Sequence, residues 1–357
     1  MTRVLRYGLV ASAVLLPLAG HAQTASSATK IDLRVITGHY HAGHRVITKI
    51  ATEKGWFREE GLGRVDITPL GTNDDRLTLA EITKGRADVV WDAHSDIVVQ
   101  EDAAGAPLAV IDVFRSFQPR NLLFARPGVN AIRDLKGKRV GVNEVDGMDA
   151  WEIRKGLERA GMDPDRDVVW VPHMRGQYAR GAPLEILQHG DVDAMTARGA
   201  EVASLRKAGF KLVADLTTAF PVGYPIRFLV ARRTLVEQHP AAVEAFLRAI
   251  TRARRFAADR KNAAEELAFR RKVLEEDLAF GGERAQAARD ELRTMTTSGE
   301  SNRRDYFDPK GVAFLIEEQK KLGRISASYR GDRLVHEELL QRAVAQLDKR
   351  FGAGGYQ

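Results

Sequence analysis

The chain has no cysteine. That excludes a disulfide framework, a thiolate metal site and a cysteine nucleophile, and it leaves no cysteine for a lipid anchor. Bilayer-spanning apolar runs are also missing. The run over 8–18 is interrupted by Ser12 and Pro17, and it falls short of the about 18 residues that a membrane span needs. Charge of one sign is not segregated. The formal net charge is +7, but basic residues are interleaved with acids along the chain and no basic arm exists, so nucleic acid is not the expected partner. There is no GxSxG elbow, no P-loop, no GxGxxG after the first strand and no HExxH. Low-complexity tracts and long heptad runs are absent too.

What is present is an ordinary globular composition, 44% hydrophobic and 29% charged over 357 residues, enough for two domains. Arg3 and Arg6 precede the short apolar run, and Gly20-His21-Ala22 offers small residues after it. A positive flank, a short apolar segment and a small-residue exit form a secretory signal over 1–22, cleaved after Ala22. The mature protein is expected to be free in the periplasm.

From residue 31 onward, short β-branched runs alternate with amphipathic stretches. Strands are expected over 31–36, 65–70, 89–91 and 108–114, with helices between them. Ser95 is a candidate cap for the helix that follows the third strand. The same grammar resumes over 121–125, 138–143, 168–171, 192–196, 211–216 and 227–231. Strands alternating with helices imply parallel strands in an α/β architecture. Lys84-Gly85-Arg86-Ala87-Asp88-Val89-Val90 matches His189-Gly190-Asp191-Val192-Asp193-Ala194-Met195: a helix-ending glycine, a turn, then an aspartate opening an apolar strand. We read this as a pair of similar lobes. Beyond Thr234 the chain is helical and charged, with a stripe of Val236, Val243, Phe246, Leu247 and Ile250, and it reads as a solvated helical layer.

Ligands of open α/β sheets bind beyond the carboxyl ends of the strands, where helix N-termini suit anions. The candidate ligand contacts in those loops are His39, Tyr40 and His41, then Asn73, then Asp92 and His94. In the second unit they are Asn143, Asp146, Gly147, Met148 and Arg198. Arg198 suits a bidentate clamp on a carboxylate or sulfonate. Tyr40, Trp91 and Met148 are available for apolar contact. Three readings stand for His39, His41 and His44: metal ligands joined by Asp92 or His94, hydrogen-bonding contacts to an organic ligand, or surface histidines. Acid pairs such as Asp92 with Asp146, or Glu144 with Asp149, read as solvated. No catalytic residue, metal or cofactor is assigned.

These residues also carry a resemblance. Ala51-Thr52-Glu53-Lys54-Gly55-Trp56-Phe57-Arg58-Glu59-Glu60-Gly61-Leu62 resembles the early helix motif of periplasmic solute-binding proteins of the sulfonate/nitrate/taurine and thiamin-pyrimidine-precursor type. Gly85-Arg86-Ala87-Asp88-Val89, Ala104-Gly105-Ala106-Pro107-Leu108, 134–142, 190–194 and 239–249 follow in the same order. The resemblance implies a type II fold: two similar α/β lobes joined by a hinge, with C-terminal helices on the first lobe. Lobe 1 would comprise 31–114 and 227–357, and lobe 2 would comprise 115–226 with the hinge segments. It implies a monomeric, non-enzymatic subunit of an ABC importer that hands a small organic anion to an inner-membrane permease. The binding loops depart from familiar members, since His39-Tyr40-His41 and Asp92-Ala93-His94 replace small and hydroxyl residues. Two other functions are carried forward: a decarboxylase-like cleft enzyme on a related two-lobed scaffold, and a sensory extracytoplasmic subunit without a transport partner. The leader generates a first test. The exported product is expected to begin at Gln23, read by intact mass, and retention of residues 1–22 in a membrane-bound form would contradict a free periplasmic protein.

Overall fold

A computed structural model describes residues 30–38, 42–70, 72, 74–116, 121–142, 145, 147–172, 183–197, 200–216, 225–294 and 309–357. The chain enters with β1 (Leu33–Thr37), α1 (Ala42–Glu53), α2 (Trp56–Glu59), β2 (Val65–Pro69), α3 (Asp75–Thr83), β3 (Val89–His94), α4 (Ser95–Ala103) and β4 (Leu108–Ser116). It continues with β5 (Leu122–Ala125), β6 (Lys138–Val142), α5 (Met148–Arg159), β7 (Val168–Pro172), α6 (Pro183–His189), β8 (Ala194–Ala197), α7 (Ala200–Lys207) and β9 (Lys211–Asp215). It closes with β10 (Pro225–Arg232), α8 (Arg233–Gln238), α9 (Pro240–Ala258), α10 (Ala263–Leu278), α11 (Gly282–Thr294), α12 (Pro309–Lys321) and α13 (Glu337–Phe351).

Two sheets result, ordered β2-β1-β3-β10-β4 and β7-β6-β8-β5-β9. The parallel expectation holds for β2-β1-β3 and β7-β6-β8 but not for the whole of either sheet. β10 runs antiparallel between β3 and β4, and β5 runs antiparallel between β8 and β9. The reason is topological. Each of these strands arrives from the other sheet rather than through a local helical crossover, so the rule that makes βαβ neighbours parallel does not apply to it. The chain passes between sheets twice, from β4 to β5 and from β9 to β10; the expected hinge residues 117–119 and 223–224 lie outside the described residues.

Both faces of each sheet are covered. Val35, Trp91, Ile111 and Leu229 pack under α1, α9 and α13. Val90, Val110, Phe228 and Val230 pack under α3, α4 and α12. In the second sheet, Leu123, Val140 and Ala194 meet α5, while Phe124 and Met195 meet α6 and α7. The C-terminal helices are therefore less solvated than their charge suggests. Val236, Val243, Phe246, Leu247 and Ile250 are all buried. Three arginines of α9, Arg252, Arg254 and Arg255, are buried as well, and Arg254 pairs with the buried Asp112 of β4. A buried charge of this kind persists only with a partner.

The matched Gly85/Asp88 and Gly190/Asp193 signatures form the same structure twice. Asp88 Oδ2 accepts from the Arg34 backbone N–H and from Arg34 Nε, both at 2.9 Å. Asp193 Oδ2 accepts from the Arg139 backbone N–H at 2.9 Å and from Arg139 Nε at 3.3 Å. Each arginine also donates to the carbonyl of its glycine, Gly85 at 2.8 Å and Gly190 at 2.7 Å. Both glycines have left-handed backbones, φ +69° and +81°, which a side chain would strain. The pairs tie β1 to β3 and β6 to β8 at the start of each parallel ladder.

Burial works to raise the Asp88 carboxyl, but hydrogen bonds from Arg34 and the nearby charge of Arg232 outweigh it and hold it below the ordinary carboxylate range. A depressed folded-state value means that the unfolded chain binds more protons as pH falls. The pair thus stabilises fully above the unfolded value, and that stability is lost as pH drops through the folded one. Asp88→Asn is expected to lower unfolding free energy by about 1–3 kcal/mol near neutral pH. The gap from the parent should shrink below about pH 4, read by urea unfolding at both ends.

Candidate functional site

The described part of the site lies at the carboxyl end of β3. Asp74 caps α3, accepting from the Arg76 N–H at 2.9 Å and the Leu77 N–H at 3.4 Å. That cap leaves Asp75, the first residue of α3, buried and turned to the end of β3. Asp75 Oδ2 accepts from the His94 backbone N–H at 3.1 Å and contacts His94 Nδ1.

A bulge in β3 aims this corner. His94 pairs with Arg227 and Ala93 with Phe228, whereas Val90 pairs with Val230 and Val89 with Ala231. Trp91 and Asp92 therefore face the single residue Leu229. Asp92 takes up the extra residue with φ +69°, alone among the described non-glycine residues. Aspartate is one of the few side chains that tolerates this region, and such bulges re-aim side chains where a strand ends. Trp91 turns into the core beneath α9, with the Arg254 guanidinium 5.9 Å from its ring centre. The expected ligand contact by Trp91 is thus replaced by a packing role. Ser95 does not cap α4 with its side chain; its hydroxyl donates instead to the Pro225 carbonyl at 2.7 Å, fixing the start of β10.

Arg227 completes the group. Its Nη1 donates to the Asp92 carbonyl at 3.2 Å and lies 3.1 Å from His94 Nδ1. Its guanidinium stands 3.7 Å from the Asp92 carboxylate and 3.9 Å from that of Asp75. Asp75, as an acceptor, and Arg227, as a donor, make opposite demands on the same imidazole nitrogen, Nδ1. His94 keeps 35% of its side chain exposed, against 12% for Arg227 and 4% for Asp75, so the histidine is the accessible member. Two carboxylates, one guanidinium and one imidazole meet at this corner. Among the described residues no group of three or more His, Asp or Glu side chains is placed to hold a metal ion, and the Arg227 guanidinium beside both carboxylates disfavours a cation there.

Of the sequence candidates, the structure brings Asp92 and His94 together. Gly147 is the N-cap of α5 and Met148 its first residue, following β6 in the second sheet. His39, Tyr40, His41, Asn73, Asn143, Asp146 and Arg198 lie outside the described residues. Arg198 follows the end of β8 and precedes the start of α7. The offset that carries Arg34 onto Arg139 also carries Ala93-His94 onto Arg198-Gly199. Sequence reasoning did not place Asp75 and Arg227 in this candidate corner. Asp75 was visible only as a turn acid, and Arg227 only as the one charge near the start of an apolar strand.

A family model described as NMT1/THI5 like matches residues 44–264. The chain belongs to that family. No curated protein matches the sequence. Among solved structures, one from Methylobacillus flagellatus KT, assigned as the periplasmic sulfonate-binding protein SsuA of a sulfonate ABC transporter, superposes with a TM-score of 0.66 at 14% identity, covering 89% of this chain and 95% of the other. The periplasmic nitrate-binding protein NrtA of Synechocystis PCC 6803 gives 0.59 at 13% identity, with 90% of each chain covered. DszB in complex with biphenyl-2-sulfinic acid gives 0.57 at 16% identity, covering 88% and 99%. Identities this low speak for the fold: two mixed α/β sheets in two lobes, as in periplasmic binding proteins.

The bulge generates a test of its own. Asp92→Ala and Asp92→Gly both lose the carboxylate, but only glycine is at ease at φ +69°. Asp92→Gly is expected to be the more stable of the two by about 1 kcal/mol in denaturant unfolding.

Proposed function

We propose that this NMT1/THI5-like protein is the periplasmic solute-binding subunit of an ABC importer. In this reading it captures a small organic anion, an aromatic carboxylate or a sulfonate, between its two lobes and presents it to a membrane permease. The observation that carries the reading is the corner at the end of β3, where Asp75 orients a half-exposed His94 beside the strand β10 that returns from the second sheet. An imidazole held beside a carboxylate at the end of a strand, with 35% of its side chain exposed, is a polar group that a solute can reach. The molecules that the structural neighbours are named for, a sulfonate, nitrate and a sulfinic acid, are all small oxyanions or their acids. That similarity supports the ligand class by analogy.

Arg198 is the proposed clamp from the second lobe, with His39, Tyr40, His41, Asn73, Asn143, Asp146, Gly147 and Met148 as further contacts. Arg227 is the weaker choice for the ligand charge, since Asp75 and Asp92 already stand beside it. The Asp75–His94 contact favours one other reading, a cleft enzyme that uses the histidine as acid or base. Stoichiometric binding with the solute recovered unchanged supports the carrier, and turnover supports the enzyme.

A thermal-shift screen against sulfonates and aromatic carboxylates identifies the ligand. Calorimetric titration of variants with that ligand then tests the site. Arg198→Ala is expected to weaken binding by about 1.5–3 kcal/mol, about ten- to a hundredfold, with Arg198→Lys restoring only part. His94→Ala is expected to weaken binding by about 0.5–1.5 kcal/mol, less than Arg198→Ala. Parent-like affinity in Arg198→Ala would move the anion site elsewhere.

A further inference from the structure

Helix α10 meets α1 along a stripe that the first sheet does not use. Val46, Ile47, Ile50 and Ala51 of α1 pack with the strands. Arg45, Lys49 and Glu53 lie four residues apart on another stripe of the same helix, and they pair with Asp277, Glu276 and Lys272 of α10. Lys49 Nζ stands 2.5 Å from Glu276 and Lys272 Nζ stands 2.6 Å from Glu53. Lys54, just past α1, adds Glu265 at 2.6 Å. The partners run in opposite order along the two helices, so the pairs form an antiparallel ionic seam. The hydrogen bond from Lys272, with help from Lys49, holds the Glu53 carboxyl below the ordinary carboxylate range, so the seam is ionised at neutral pH.

Little apolar surface backs this seam. Among the described apolar residues of α10, only Phe269 joins the core cluster that contains α1. Val273 and Leu274 cluster instead with Ala288 and Leu292 of α11. Several residues that α1 and α10 bury are polar: Arg45, Thr48, Glu266 and Arg270. Neither carboxylate oxygen of Glu266 has a hydrogen-bond partner among the described residues, and Arg270 Nε stands 3.5 Å away. A carboxylate buried in this way gains hydration when its cover lifts. The root of α10 is held differently. The Tyr356 ring packs edge-on against Phe256 of α9, with centres 5.8 Å apart. Its hydroxyl donates to Asp259 at 2.8 Å and accepts from Asn262 at 2.7 Å, both in the turn between α9 and α10.

We propose that α10 and α11 form a flap, rooted at 259–262 and zipped onto α1 by charge, whose closure depends on ionic strength. Exposed ion pairs are weak singly and are screened by salt, whereas buried pairs are screened much less. The Lys49, Glu53 and Lys54 rungs therefore loosen first, and the buried Arg45–Asp277 rung last. Salt does not weaken the apolar contacts of Tyr356 and Phe256, so the root stays closed. The matched family model stops at residue 264, and all but the first two residues of the flap lie beyond it. The flap is independent of the solute proposed above.

Hydrogen–deuterium exchange of the full chain, followed by mass spectrometry at about 0.05 M and about 1 M sodium chloride, is the test. Peptides of α10 and α11 should exchange about fivefold faster at high salt, while those of β1, β3, β10 and α9 keep their rates. Lys272→Glu with Glu276→Lys reverses the charges of α10 alone and sets like charges against Glu53 and Lys49. This double variant should show the faster flap exchange already at low salt. Adding Lys49→Glu and Glu53→Lys restores opposite charges across the seam and should restore the parent's protection, which a contact made by packing would not do. Flap exchange in the parent that does not respond to salt overturns the proposal, and so does a fourfold variant that stays as open as the double one. Should the double variant expose its strands as well, the salt response of the parent decides.

Discussion

The first sheet is incomplete until β10 arrives. β10 pairs with one edge of β4, whose other edge is bridged by Val335 at Val110, and β10 is also the strand that pairs with the far side of β3. Yet β10 begins at Pro225, after every strand of the second sheet has been traced. The edge of β4 that faces β3 is therefore paired only after the chain has gone out through the second sheet and back. An unpaired strand edge is costly when buried. Cooperation between the lobes is thus built into the hydrogen bonding of the first sheet. The second sheet has the mirrored arrangement, with β5 antiparallel between β8 and β9.

That exchange of strands explains where the candidate corner at the end of β3 lies. β10 brings Arg227 across from His94, and the bulge at Trp91 and Asp92 absorbs the mismatch in register. The same bulge sends Trp91 into the core and leaves His94 at the rim. Packing and presentation are two outcomes of one extra residue, held in a conformation that aspartate accepts at modest cost.

The charge of the C-terminal helices is absorbed in a similar way. Glu60, at the end of α2, accepts from Arg248 and Arg252 of α9 and from Arg350 of α13 at 2.8–3.1 Å. Arg45 of α1 pairs with Asp277 of α10. These contacts span long sequence separations and fasten the helical layer to the first lobe. Helices that look solvated by composition are in fact half buried, with long side chains burying their stems and pairing their heads.

The sequence by itself determined the alternation of strands and helices, the apolar stripe of α9 and the duplicated Gly/Asp turns. All of these are local periodicities, and the matching Arg34–Asp88 and Arg139–Asp193 pairs confirm the duplication of the turns. His94 and Asp92 were legible as candidate site residues because they sit where a strand ends before a helix. Asp75 and Arg227 were not, since each gains its role from a neighbour 19 and 133 residues away along the chain. The antiparallel sense of β5 and β10 and the burial of Trp91 were decided only by tertiary structure. Each depends on which sheet a segment joins, and that choice is made by the packing of distant apolar faces rather than by any pattern within the segment.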